Sequence, residues 1–206
     1  MKTVLMLGPA DHGRPITREE FDAARGQEGY RYELIEGKVY VSPVPNLPHD
    51  FICEWVDSLL DGYRRTHPEN LNYLSGKARV YVPGEEESTS PEPDLAGYRG
   101  FPHHLPLSDL SWEDVSPILV AEVVSDDNPD KDLVRNVELY LRVPSIREYW
   151  IFDPRQDPDR PTLRVYRRRG NRWQRPIDLA PGETYTTPLL PDFALLLDPH
   201  AEGTQP

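Results

Sequence analysis

"ILVAEVVSDDNPDKDLVRNVELYLRVPSIREYWIFDP", residues 118–154, is the stretch that decides the fold. Residues 118–124 are apolar apart from Glu122 and end at the polar cluster Ser125-Asp126-Asp127-Asn128-Pro129, which reads as a strand buried on both faces. Residues 147–154, "REYWIFDP", form a second mostly apolar strand, and the segment from Asp130 to Arg142 reads as a helix. A helix between two buried strands makes a right-handed crossover and sets them parallel. The buried strand also carries an anomaly. A carboxylate at Glu122 must be paired, protonated or bound to a metal, because burying it alone is too costly.

Working outward, Thr17 followed by Glu20 marks a capping box for a short helix over 17–24. Residues 30–43, "YRYELIEGKVYVSP", read as a hairpin turning at Glu36-Gly37. In 49–65, Phe51, Ile52, Trp55, Val56, Leu59, Leu60 and Tyr63 share one helical stripe. Strands are expected at 78–83 and 94–98, a loop with a helical turn at 99–117, and an arginine-rich hairpin at 162–175. Antiparallel strands followed by strand–helix–strand predict an α/β domain, a mixed sheet flanked by helices. The expected domain spans 17–199, with an N-terminal extension over 1–16 and a tail over 200–206; residues 1–15 and 200–206 read as frayed ends.

The composition is that of a soluble globular chain: 206 residues, 37% hydrophobic and 28% charged. The 23 prolines are about twice the usual share and predict stiff loops. The single cysteine, Cys53, excludes an internal disulfide and suits a reducing compartment. The start "MKTVLMLGPADHG" is too short in apolar residues for a signal segment, and no stretch reads as a membrane span, so a cytoplasmic location is expected. A net charge of −12 counts against coating nucleic acid through a broad basic surface. The run "RVYRRRGNRWQR" (164–175) reads either as a solvated hairpin edge or as a phosphate-contacting flap.

Strand parity places Glu122 on the face shared by Ile118, Val120 and Val124. "EPDLAGY" supplies a second carboxylate, Asp94, at the mouth of a short strand. Carboxylates from neighbouring strands can share one Mg²⁺ or Mn²⁺ through hard oxygen ligands. Glu122 could instead be satisfied by backbone N–H groups or by an arginine. Cys53 reads as core filling, and His103-His104 lacks the partners of a zinc site.

The order "YELIEG", His49 after a proline-rich loop, "PDL", "EVVS", an Asp and a Tyr on a helix, then "EYWIFDP" resembles the Uma family, whose members carry the PD-(D/E)XK fold of restriction endonucleases. The resemblance runs from about Thr17 to "LLPDFALLLD" at 189–198. It implies a DNA endonuclease with Asp94 and Glu122 as Mg²⁺ or Mn²⁺ ligands, Glu33 as a third acidic residue of the metal site, and His49 as an active-site residue. By position alone, Glu33 reads as a strand-surface carboxylate and His49 as a helix starter. The family's lysine two residues after the acid is replaced by Val124, and in the relocated pattern D-x-x-x-K-x-x-x-Y, carried by Asp132 and Tyr140, the lysine position holds Asn136. In a regular helix at about 100° per residue, Lys131 and Arg135 point almost opposite Leu133, Val137 and Leu141, which face the sheet, so neither stands in for the lysine. Three readings follow: a metal-dependent DNA endonuclease, a degenerate nuclease fold kept for binding or regulation, and a hydrolase of another phosphate ester. Cutting both strands would suit a homodimer.

Overall fold

The computed structural model describes residues 4–201. In chain order it runs through β1 (Met6–Leu7), α1 (Arg18–Ala23), β2 (Arg25–Gly26), β3 (Tyr30–Ile35), β4 (Lys38–Pro43) and α2 (Leu47–Thr66). Next come β5 (Tyr73–Ser75), β6 (Leu95–Tyr98), β7 (Leu119–Val123), a π-helical turn at Lys131–Arg135, α3 (Asn136–Leu141) and β8 (Glu148–Asp153). The chain closes with β9 (Thr162–Arg169), β10 (Arg172–Trp173), β11 (Ile177–Leu179), β12 (Thr184–Thr187) and β13 (Leu190–Leu196).

The central sheet has the order β10-β9-β8-β7-β6-β5, with β11 also paired to β9. Only β7 and β8 are parallel, as the crossover between them requires; the other pairs in this sheet are antiparallel. Ile52, Val56 and Leu60 of α2 pack on Leu119, Ala121 and Val123 of β7 and on Trp150 and Phe152 of β8, joined by Tyr185 and Leu195 of the β12–β13 hairpin. Val120 and Val124 fall in the opposite layer with Tyr140, Val143 and Ile146. Ile118 precedes the strand and packs with the α2 layer, so it does not share their face. The two layers cover both faces of β7, as its unbroken apolar run demands.

The 17–24 capping box forms: Thr17 accepts from the Glu20 backbone and Glu20 accepts from Thr17. The hairpin turns through Glu36 and Gly37, both at positive φ (51° and 70°), which suits a two-residue turn. Three expectations are corrected. Residues 78–83 form no strand, because Pro91 and Pro93 in the facing segment lack the N–H that a ladder needs; only isolated bonds such as Val80 N–H to Pro91 C=O remain. The described part of 1–15 is not frayed, since β1 pairs with β2 and Leu7 is buried with Phe21, Leu34 and Val39. At the other end His200 stacks on Phe51 and contacts Asp159, while residues 202–206 of the expected tail lie outside the described residues, as do 1–3. Among the described residues no helix is long and apolar enough to cross a membrane.

Candidate active site at the end of the central sheet

Asp94 immediately precedes β6 and Glu122 lies in the neighbouring antiparallel β7, where the register pairs Leu95 with Ala121. Each carboxylate holds the other's strand. The Asp94 N–H donates to Glu122 Oε2 at 3.2 Å, and the Val123 N–H donates to Asp94 Oδ2 at 2.9 Å. The two acids are therefore locked together at one end of the sheet. Asp94 is further held by Arg31, whose guanidinium donates to Oδ1 at 2.7 Å, and by His49, whose Nε2 lies 3.0 Å from Oδ2.

Glu122 is fully buried and accepts from the Tyr140 hydroxyl at 2.7 Å and from Asn136 Nδ2 at 2.8 Å, both on Oε1. The same Nδ2 donates to Asp132 at 3.2 Å, so one amide clasps two carboxylates. Asp132, Asn136 and Tyr140 thus form the buried face of this segment, the place expected of Leu133, Val137 and Leu141. Leu133 and Val137 are only half-buried.

The largest correction concerns Lys131 and Arg135. Lys131 Nζ lies 3.7 Å from Glu122 Oε2 and 3.6 Å from Asp132 Oδ1, and Arg135 donates to Glu33 Oε2 at 2.9 Å. Both point into the site. The π turn closes its hydrogen bonds from i to i+5 instead of i to i+4, so angular positions counted on a regular α-helix do not apply to its residues.

Glu33 is buried, with Oε1 accepting from the Glu92 N–H at 3.0 Å. It lines a cleft of about 720 Å³, whereas Asp94 and His49 line a neighbouring one of about 480 Å³; Arg31 and Lys131 line both. Burial raises the Glu33 carboxyl, but Lys131, Arg135 and the Glu92 N–H outweigh it and hold it below its ordinary value. Like-charge crowding alone would raise it, so the surrounding cations and the backbone N–H decide the direction. Asp94 follows the same logic: burial raises it, and His49, Lys131 and the Val123 N–H win and hold it well below the carboxylate range. In Glu122 burial wins, and with Asp132 and Asp94 nearby the group is pushed well up. Burial likewise pushes Asp132 up to about 6. Burial opposes charge on Lys131, yet Glu122, Glu33 and Asp132 around it raise its ammonium further.

His49 begins no helix: Asn46 caps α2 by accepting from the His49 N–H. Its ring joins Asp94 to Cys53, whose Sγ lies 3.5 Å from Nδ1. Both ring nitrogens have neighbours within contact distance, and the ring braces the Asp94 carboxylate. His49, Cys53 and Asp94 offer nitrogen, sulfur and oxygen atoms within 4.8 Å of one another, a group able to hold a metal ion. Burial and Asp94 push the Cys53 thiol strongly up, which keeps it protonated and favours the oxygen donors. Arg31 went unread in the sequence, although its spacing from Glu33 puts both on one strand face.

The family model Uma2, "Putative restriction endonuclease", matches residues 18–198. A crystal structure described as "a putative nuclease belonging to DUF820 from Anabaena variabilis ATCC 29413" is similar, with 20% identity, a TM-score of 0.67, and coverage of 89% of this chain and 96% of that one. At that identity the likeness is one of fold. No curated protein matches. The family match spans nearly the whole domain, and the chain belongs to the Uma2 family, "Putative restriction endonuclease".

Proposed function

We propose that this protein is a Mg²⁺- or Mn²⁺-dependent DNA endonuclease whose metal ligands are Asp94 and Glu122, with Glu33 as the outer acid. The observation that carries the reading is the reciprocal locking of Asp94 and Glu122 across β6 and β7. The donor set fits a hard cation. Glu122 and Asp132 already take the Lys131 ammonium within 4 Å, and Asp94 takes the Arg31 guanidinium, so cationic groups stand where the carboxylates need positive charge. When bound, the ion would supply Lewis-acid stabilisation and a water of lowered pKa.

The chain's own residues do the rest. His49 fixes the rotamer of Asp94, and Tyr140 and Asn136 fix that of Glu122. Asn136 accepts no proton, so its part is positional. Arg31 lines both clefts and holds Asp94 between them. Two such sites about a twofold axis would cut both strands.

A degenerate, binding-only nuclease fold is the second reading, favoured by Asn136 at the lysine position and by the internal partners on both Asp94 oxygens. Calorimetric Mn²⁺ titration of the wild type and Glu122→Ala, paired with nicking of supercoiled plasmid, separates them. The endonuclease reading expects Mn²⁺ binding that weakens sharply in the variant, and nicking that needs the metal. Bound Mn²⁺ without nicking would leave the binding-only reading.

A further inference from the structure

We propose that Lys131 is the catalytic cation of this site, carried there by the π turn and replacing the lysine that position 136 lacks. The inference rests on the nuclease reading above and adds to it the group that meets the scissile phosphate.

Three observations support it. First, the charge is placed: Lys131 Nζ sits 3.7 Å from Glu122 and 3.6 Å from Asp132, at the junction of the two clefts that flank the acids. Second, its donors are unspent. Both contacts are ion pairs too long for hydrogen bonds, and among the described residues Nζ makes no shorter one. The neighbouring cations are committed, Arg31 to Asp94 at 2.7 Å and Arg135 to Glu33 at 2.9 Å, with the Arg135 guanidinium also over the Tyr40 ring. Third, the side chain is 16% exposed, so the ammonium is mostly sheltered from bulk water yet open to a ligand in the cleft. A sheltered cation with free N–H groups stabilises charge that develops on a phosphate oxygen far better than one in water.

The step balances without proton transfer by Lys131. The water oxygen bonds to phosphorus as the ester P–O bond breaks, and solvent carries a water proton to the departing oxygen. Lys131 donates hydrogen bonds to a non-bridging oxygen and keeps its protons.

The test uses the full chain with Mn²⁺, comparing wild type, Lys131→Met, Lys131→Arg and the relocation variant Lys131→Asn/Asn136→Lys. Nicking by Lys131→Met should fall by about 10²–10³-fold, the usual cost of one transition-state donor. Its Mn²⁺ affinity should hold or tighten, since a competing cation leaves the acids, and bound Mn²⁺ should bring its melting temperature close to wild type by replacing the charge that the acids lose. A lysine that merely braces the fold would lose metal affinity and melting temperature together with activity, so that outcome overturns the proposal. Lys131→Arg or the relocation variant recovering part of the rate supports it. Wild-type nicking that survives in Lys131→Met overturns the Lys131 assignment and leaves the nuclease reading standing. A wild type that binds Mn²⁺ and never nicks overturns both.

Discussion

Glu122 carries the site's electrostatic tension. It is fully buried, and burial together with nearby Asp132 and Asp94 pushes its carboxyl well above its ordinary value. A group raised in the folded state contributes stability in full below its unfolded value, and that contribution is lost as pH rises through the folded value. Asp132, pushed up to about 6, adds to the same trend, while Asp94 and Glu33, both held down, add stability that is lost only on acidification. Glu122→Gln keeps the shape and cannot ionise. The metal-free variant should therefore be about 1 kcal/mol more stable than wild type at pH 8, a gain typical of relieving functional strain. The gap should close near pH 4, and Mn²⁺ should no longer raise the melting temperature. Thermal melts with and without Mn²⁺ read all three effects. A lower melting temperature at pH 8 would mean that the ionised Glu122–Lys131 pair stabilises the fold instead. The meeting of Asp94 with Glu122 is legible in the sequence, because both follow from strand parity and neighbouring strands. Arg31 and the clasp formed by Asn136 are not, because they depend on how the β3–β4 hairpin and the helix lean over the sheet.

At the scale of elements, the strand–helix–strand core is legible because apolar runs and polar breaks report burial directly. The β3–β4 hairpin and α2 are legible for the same reason. The π turn is not, since no residue type demands it, and it carries both Lys131 and Arg135, which reach Glu122 and Glu33. The strand expected at 78–83 fails for a readable cause, the prolines opposite it. The arginine run resolves into structural contacts at its buried half. Arg168 gathers the carbonyls of Tyr140, Leu141, Val143 and Ile146 and lies 4.9 Å from the Trp173 ring, so it caps the C-terminal end of α3. Arg167 reaches Tyr185 and buried Glu148, tying the β12–β13 hairpin to β8. Arg168→Ala should cost about 2 kcal/mol, as expected when a charged donor to buried carbonyls is lost. Arg168→Lys should recover little, because an ammonium lacks the fork and the stacking plane. Urea unfolding measures both; full recovery by lysine would mean that charge alone does the capping.

Across the whole molecule, a net charge of −12 and a nuclease fold call for some local positive surface. The larger cleft provides it. Arg31, Lys77, Arg79 and Lys131 line it together with Tyr30 and Trp112, against Asp22, Glu33 and Glu92. The smaller cleft is richer in acids, with Asp126, Asp127 and Asp132 beside Asp94. The two meet at Arg31 and Lys131, so a phosphate backbone is favoured from one side and a cation from the other. Arg79 is already paired with Glu92 and Asp22, and Arg31 with Asp94, which leaves exposed Lys77 the freest of the four to gain a phosphate. Binding through so few cations should depend only modestly on salt, with a slope of log affinity against log salt no steeper than about −4 for four phosphate contacts. Lys77→Glu should weaken DNA binding and flatten that slope by about one unit or more, because it removes one contact and adds repulsion. Its Mn²⁺ affinity and melting temperature should match wild type, since Lys77 touches neither the acids nor the core. Fluorescence anisotropy with a labelled oligonucleotide at several salt concentrations gives the slope. An unchanged slope would move the entry path away from this cleft and toward the exposed arginines of the β9–β10 hairpin.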